Sequence, residues 1–361
     1  MKILVIYATA GAGHRKAAEA VYNGLKETHY QVTLADSLDY TSRFYKQLYS
    51  GTYTFLISRV PWLWGFIFAL IDLYWLAWLV NGMRRIQNFL NGRALARFLK
   101  AEQFDCIVST HFFPNEVAAY LKRTGQIHSK LVSVITDFDV HTIWLAEGID
   151  KYAVATAWTK EKLKRLGVGG EHITVTGIPT DEKFSKTRDI GELKGKLGLK
   201  DGVLTVLIAT GSFGIGPIEE IVECLDRNIQ VLVVCGHNQN LYARLKPLEK
   251  GLVKIFGLVN NMDELMAVSD VMVTKPGGLS ISEALVSGLP MIFFNAIPGQ
   301  ETNNIKVLKL SGVGVNGDSV HEIVKLLEKL NLSREDLQSA KAKSRALGKP
   351  SAVKDIISLI K

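Results

Sequence analysis

Residues 270–274 form an apolar run of strand length that stops at Lys275-Pro276-Gly277-Gly278, and a helical pattern begins near Leu279. A strand, a glycine turn and a helix N-terminus together make an anion site. Glycine lets backbone N–H groups approach a phosphate, and the helix dipole favours negative charge there. Ser280 adds a hydroxyl. Glu283 falls about one turn further on; a carboxylate there repels phosphate but can accept two hydrogen bonds from a ribose diol. Phosphate together with ribose points to a nucleotide. The alternative is a βα turn that needs glycine only for tight packing. A second cluster weighs against that alternative. Pro298-Gly299-Gln300-Glu301-Thr302-Asn303-Asn304 follows the next apolar run, 291–294, and brings carboxamide and carboxylate groups suited to sugar hydroxyls to the same sheet edge.

The elements that must hold these groups are legible as alternating strand and helix patterns. Residues 3–7, 31–35, 105–109, 131–135, 152–155 and 173–176 read as strands of a first series. Residues 204–209, 230–235, 253–256, 270–274, 291–294 and 314–316 read as a second. No antiparallel hairpin signal interrupts either, so the expected class is α/β with two Rossmann-like parallel-sheet domains facing a cleft. The domains are 1–182 and 203–345. Residues 183–202, rich in Lys and Gly, read as a linker region, and 346–361 as a C-terminal helix packing back on the first domain. Glycine loops follow the first strand of each series: Gly11-Ala12-Gly13-His14 before a helix at 15–28, and Thr210-Gly211-Ser212-Phe213-Gly214-Ile215-Gly216 before Pro217, a suitable helix N1 residue. Open α/β sheets bind ligands at this carboxyl edge. With only two glycines and His14 where the helix begins, the first loop is not the dinucleotide fingerprint.

At 361 residues and 47% apolar side chains, the chain can bury two cores. Cys106, Cys224 and Cys235 lie in or beside apolar runs without metal-ligand spacing and read as buried thiols of a reducing compartment. The opening apolar run is too short for a signal peptide. The net charge of +8 is concentrated in residues 1–100, where 12 Lys and Arg face 5 Asp and Glu, while residues 201–361 hold 17 of each. A basic protein raises the question of nucleic acid, but no nucleic-acid motif or aromatic-studded basic strand is present.

The excess charge flanks the most apolar stretch, residues 55–81. Its length would span a bilayer. Yet it lies between two strands of one sheet, and a single crossing would put the halves of that sheet on opposite sides. Four of the six tryptophans, Trp62, Trp64, Trp75 and Trp78, fall here, and tryptophan favours the bilayer interface. Arg84, Arg85, Arg93 and Arg97 follow on a helical pattern. The segment reads as monotopic, lying in one leaflet with its arginines at anionic headgroups. A large core helix or a dimer contact is the alternative.

In this order, the motifs resemble those of a known family. Gly11-Ala12-Gly13-His14 with Ala17-Ala18-Glu19-Ala20, then Thr136-Asp137, His141 and Trp144, match its N-terminal signatures. Residues 211–217 and 257–262, the run from Lys275 through Glu283, and Pro298-Gly299-Gln300-Glu301 with Asn304 match those of its second half. They are similar to the glycolipid-forming members of glycosyltransferase family 28, the diacylglycerol glucosyltransferases and monogalactosyldiacylglycerol synthases, over nearly the whole chain. The resemblance implies a GT-B fold and inverting transfer of glucose or galactose from a UDP-sugar to diacylglycerol. It also implies a peripheral protein on the cytoplasmic membrane face, with no cofactor and no metal. Glu283 would hold the ribose. Gly277, Gly278 and Ser280 would hold phosphate, and Gly211, Ser212, Gly214, Lys275 and Leu279 would also belong to the donor site. Leu258, Val259 and Met262 would line the uracil, and Gln300, Glu301 and Asn304 the sugar. Two positions depart from the family: Asn303 replaces a glycine, and Thr9 stands where plant-type members carry an acid.

Inverting transfer needs a base for the acceptor hydroxyl. His14 is the first candidate, because a helix dipole keeps an imidazole neutral and able to accept a proton; an N-cap or phosphate contact is its alternative role. Asp137 is the second, as base or as orienter of His14 or the acceptor, with a helix cap or turn as the plain alternative. Gly13, His111 and His141 are candidates for the acceptor headgroup, though a loop histidine is often just solvated. Competing functions are transfer of N-acetylglucosamine to a polyprenyl-linked acceptor, a UDP-sugar epimerase, and a non-enzymatic UDP-sugar-binding membrane protein.

Overall fold

The computed structural model describes all residues except 10, 43–44, 47–59, 61, 64, 66–90, 212–213 and 295. Ser212, Trp64, Trp75, Trp78, Arg84, Arg85 and most of the 55–81 segment therefore lie outside the described residues. Among the described residues, no helix is long and apolar enough to cross a membrane.

The chain divides into two units. The first comprises Met1–Asp181, Ile297–Asn303 and Ser351–Lys361; the second comprises Glu182–Ala296 and Asn304–Pro350. The first is built on β1 (Lys2–Tyr7), β2 (Gln31–Asp36), β3 (Cys106–Ser109), β4 (Lys130–Val134), β5 (Lys151–Val154) and β6 (Ile173–Val175). These form one parallel sheet in the order β2-β1-β3-β4-β5-β6. The second unit holds β7 (Thr205–Ala209), β8 (Gln230–Val234), β9 (Val253–Phe256), β10 (Val271–Thr274), β11 (Met291–Phe293) and β12 (Val315–Asn316). Their order is β12-β11-β10-β7-β8-β9. Every expected strand is present, with ends moved by a residue or so.

Both sheets are covered on both faces, which explains why their strands read as near-continuous apolar runs. Side chains alternate across a strand. Leu4, Ile6, Ile107 and Leu131 enter one core of the first unit. Ile3, Val5, Cys106, Val108 and Val132 enter the other, with Ala18, Val21 and Leu25 of the helix Ala12–Lys26. In the second unit Val206, Ile208, Val231 and Val273 pack with Ile218, Leu241 and Leu327.

Two expectations change. Residues 183–202 are folded: a short turn at Glu182–Ser185 leads to the helix Ile190–Leu197, and the stretch is counted with the second unit. The Asp189 carboxylate accepts the Glu192 N–H at 3.0 Å to cap that helix, Gly198 ends it at φ 60°, and Arg188 pairs with Asp263. A Lys- and Gly-rich composition hid a cap and the buried Leu193. Cys224, the last residue of the helix Ile218–Cys224, is exposed, because the helix turns that position away from its buried Ile218, Ile221 and Val222. The other two thiols are buried, and burial pushes Cys106 up to about 12 and Cys235 up to about 11.

The C-terminal helix Ala352–Ser358 belongs to the first unit, against the helix Ala12–Lys26. Ile356 and Ile360 enter the same core as Ile3 and Val5. Gly24 makes room, since a Cβ there would sit 2.5 Å from Val353 Cγ1. Ile356→Ala is expected to destabilise the first unit by about 2–5 kcal/mol, the usual cost of a buried aliphatic truncation. Urea unfolding followed by Trp144 and Trp158 fluorescence would measure it.

Candidate active site

In each unit the strand order reverses once. In the first the reversal lies between β1 and β3; in the second, between β7 and β10. At such a point successive helices leave on opposite faces of the sheet, and a crevice opens at the strands' carboxyl ends. The residues with chemistry gather at these two places.

In the first unit, β1, β3 and β4 are adjacent, so their carboxyl ends bring together residues far apart in sequence. His14 is the third residue of the helix Ala12–Lys26. That helix starts three residues before the expected position, because Gly11 at φ +134° makes the turn into it. His14 Nδ1 lies 2.7 Å from the Thr110 carbonyl oxygen, just past β3. It is 3.0 Å from Thr136 Oγ1, just past β4. The Thr110 hydroxyl donates back to the His14 carbonyl at 2.9 Å. A carbonyl can only accept, so Nδ1 of the neutral ring carries the proton and Nε2 carries the lone pair. That is the tautomer a general base needs.

His14 also has the protonation state for the task. Burial lowers its pKa from 6.5 to about 4, opposed in part by the Thr110 carbonyl. The helix dipole acts in the same direction. A dipole contributes about 0.3–1 kcal/mol, less than the roughly 1.4 kcal/mol that moves a pKa by one. The fall from 6.5 to about 4 exceeds that, so desolvation is the main cause.

Asp137 is buried beside Thr136, and its two carboxylate oxygens accept from Gln300 Nε2 at 2.9 and 2.8 Å. Gln300 opens the helix Gln300–Leu310 and is counted with the first unit. In this structure the side chain expected at a sugar thus engages Asp137. Glu301 accepts the Ile297 N–H at 2.7 Å and shapes its own loop. His111 and His141 are buried helix caps instead of solvated loop residues: Nδ1 of each accepts a main-chain N–H at 3.1 Å, from Phe113 and Ile143 respectively. Gly13 is half-buried within the first turn of its helix. Trp62 is 69% exposed. Thr9, at the position of the missing acid, is exposed and donates its hydroxyl to Asp36 at 2.5 Å.

In the second unit, β10 ends at Thr274 and Gly277 caps the helix Gly278–Val286, with no side-chain cap and no acid in its first turn. The first N–H groups of that helix therefore have no side-chain acceptor at the cap. The preceding loop is braced from below: Asn304, fully buried, donates Nδ2 to the Pro276 carbonyl at 3.0 Å. Asn304 thus holds the loop. Lys275, Ser280 and Glu283 are half-buried, and the last two share a helix face, whereas the Leu279 side chain is buried. Leu258 is 61% exposed, with Val259 and Met262 half-buried next to it in sequence. Gly214 and Gly216 are demanded by the fold: both have positive φ, and a Cβ would meet the Cys235 carbonyl at 2.8 Å or the Phe294 ring at 2.3 Å. Gly211 also has positive φ, and among the described residues a Cβ there would meet nothing within 4 Å.

Gly277 is different. Its φ is −73°, which any residue adopts, and among the described residues a Cβ there would meet no atom within 4 Å. Neither backbone nor packing among these residues asks for glycine, and a position without a side chain suits close approach of a ligand. Gly277→Ala is expected to keep the wild-type melting temperature while weakening nucleotide binding about tenfold, equivalent to about 1.4 kcal/mol. Calorimetric titration with UDP would check it; unchanged affinity would remove the phosphate from this loop.

The main-chain carbonyl of Thr110 is invisible as a site group in the sequence. A carbonyl has no residue-type signal, and only adjacency of β1 and β3 could have flagged it.

Comparison with known proteins agrees with this picture. Residues 14–180 match the model of the monogalactosyldiacylglycerol (MGDG) synthase family, and residues 205–360 that of the glycosyltransferase family 28 C-terminal domain. The processive diacylglycerol beta-glucosyltransferase of Bacillus pumilus (strain SAFR-032) is 30% identical over 359 residues, 96% of this chain and 91% of that protein. Its namesake in Bacillus subtilis (strain 168) is 29% identical over 350 residues, 94% and 89% of the two chains. Among solved structures, Acinetobacter baumannii MurG superposes with a TM-score of 0.66 at 14% identity, covering 99% of both chains. At that identity the likeness is one of fold, the GT-B fold.

Proposed function

This chain belongs to glycosyltransferase family 28, and from that premise we propose that it transfers a hexose from a UDP-sugar to the free hydroxyl of 1,2-diacylglycerol, with inversion, to give a β-glycosyldiacylglycerol. Its relatives' names favour glucose over galactose as the sugar. The observation that carries the reading is the His14 imidazole, held neutral by burial and in the Nδ1–H tautomer by the Thr110 carbonyl.

The chemistry follows from these groups. The acceptor hydroxyl gives its proton to His14 Nε2 as its oxygen bonds to the anomeric carbon. The bond from that carbon to the UDP oxygen breaks on the opposite face, which inverts the centre. Charge then gathers on the departing diphosphate. The N–H groups at Gly278 and Leu279 and the dipole of their helix are suited to take it up. Glu283 is suited to the ribose diol and Leu258 to the face of the uracil. Thr136 shares the Nδ1 proton and keeps the ring oriented as its charge changes. Asp137 orients the acceptor, with Gln300 as its hydrogen-bond partner.

An acceptor that lives in a bilayer requires the enzyme to reach one. We assign that role to residues 55–81 with Arg84 and Arg85, on the strength of their sequence: apolar length, interfacial tryptophans and flanking cations. Binding to vesicles containing anionic lipid is expected to exceed binding to neutral vesicles and to weaken at high salt. Equal binding to both at all salt concentrations would count against the electrostatic part.

Transfer of radiolabel from UDP-glucose, and separately from UDP-galactose, into diacylglycerol in mixed micelles tests the reaction. A labelled glycolipid is the expected result. Label passing instead from UDP-N-acetylglucosamine to a polyprenyl acceptor would replace the assignment. His14→Ala should lower kcat by about 10²–10⁴. The sign of the pH dependence is fixed by which form works: protonation removes the base. With a pKa of about 4 in place of 6.5, kcat/KM is expected to stay level as pH falls through 6.5 and to drop only near 4. An acid limb near 6.5 would show that His14 is solvated or is not the base.

A further inference from the structure

Four aromatic rings close a circuit that includes the base. His14 meets His111 edge-on, with centroids 4.7 Å apart and planes at 82°, and lies 6.2 Å from Trp144. His111 is 4.1 Å from Phe112. Phe112 stands nearly perpendicular to Trp144 at 6.3 Å, which completes the circuit. His111 and Trp144 are buried, at 1% and 4% exposure.

His111 is the member of this circuit that could interfere with His14, because it too can take a proton. The structure prevents it. His111 Nδ1 accepts the Phe113 N–H at 3.1 Å and so caps the helix Phe112–Arg123. An accepting nitrogen holds a lone pair, so the proton of this ring is on Nε2. Charging it would break the cap and bury a cation, and burial together with the neighbouring His14 holds it well below the usual histidine range. Its main chain is fixed as well: Ser109 Oγ donates to the His111 carbonyl at 2.8 Å and accepts its N–H at 3.3 Å. Of the other groups near His14, Thr110, Thr136 and Trp144 are neutral, and Arg15 and Lys16 pair with Glu19 on the outside of the helix. Asp137, next to Thr136, is the acidic group on this side, and it accepts from the neutral Gln300 carboxamide.

We propose that His111 is a positioning residue for glycosyl transfer: a ring kept uncharged by its helix cap, which sets the plane of the His14 imidazole and keeps water from it. The inference rests on His14 being the base. Its consequence is that the imidazolium formed when His14 takes the acceptor's proton meets a neutral ring in place of a second cation.

The cap and the ring can be separated. Asn and Asp both cap helices well, so His111→Asn and His111→Asp keep the cap and remove the ring. His111→Phe keeps a ring and removes the cap. The measurements are the His14 titration by nitrogen-15 NMR, assigned through His14→Gln, and kcat and KM for diacylglycerol against pH. His111→Asn is expected to keep its melting temperature and its KM within about twofold, to lose about tenfold in kcat at pH 7, and to move the His14 titration and the acid limb together from about 4 toward 6.5. His111→Asp should move the titration further, by adding a negative charge. His111→Phe should melt earlier yet leave the His14 titration low. If His111→Asn and His111→Asp leave the His14 titration at the wild-type position, His111 is a cap alone and the proposal fails. It also fails if they raise KM for the lipid with the titration unmoved, which would make His111 an acceptor contact. Retained activity in His14→Gln would instead sink the base assignment, and the NMR titration would still report whether His111 governs His14.

Discussion

Parallel pairing is the constraint from which the rest of this structure follows. Two parallel strands cannot be joined by a tight turn; the chain must cross over the sheet before it can pair again. All carboxyl ends of a sheet therefore point to one edge, and each strand delivers its following loop there. Where the strand order reverses, neighbouring loops part and leave room. The first unit places the ends of β1, β3 and β4 at that edge, and with them His14, Thr110 and Thr136. The second unit places the ends of β7 and β10 there, with Gly211 and Gly277. No local sequence signal brings His14 to Thr110. The order β2-β1-β3-β4 does.

Much of the fold was legible because its signals are local. The central strands β1, β3, β4, β7, β8 and β10 are buried apolar runs, legible without alternation, whereas β2 and β12 are partly exposed and read less plainly. The glycine loops were legible for the same reason. What stayed hidden depends on contacts through space. The tautomer of His14 is set by a main-chain oxygen 96 residues away. His111 looks like a loop histidine until the helix behind it is seen to end on its Nδ1. Asn304, read as a sugar ligand, is buried under the Pro276 loop. Residues 183–202 were misread from composition, which counts lysines and glycines but not the Asp189 cap between them.

The two units solve the same problem with different materials. The first suppresses charge: it half-buries a histidine among neutral partners, which lowers its pKa from 6.5 to about 4 and leaves it suited to accept a proton. The second concentrates partial positive charge: the dipoles of one helix are left uncapped by any side chain at Gly277, and an acidic residue appears only at Glu283, beyond the first turn. A proton acceptor and an anion acceptor are the two things that transfer from a nucleotide sugar to a hydroxyl requires. Here neither needs a charged residue in the first turn of its helix.

The helix Ala352–Ser358 completes the core that β1 begins, and this separates the order of synthesis from the order of folding. At roughly 5–20 residues per second, Ile356 leaves the ribosome about 15–70 seconds after Ile3. Until then the face of the first sheet that Ile3 and Val5 share with Ile356 and Ile360 is covered only in part, by Ala18, Val21 and Leu25 of the helix Ala12–Lys26. The second unit needs nothing beyond Pro350. The half of the protein made first is thus the half finished last, and the nascent chain carries a partly covered apolar face until Ile356 and Ile360 are made.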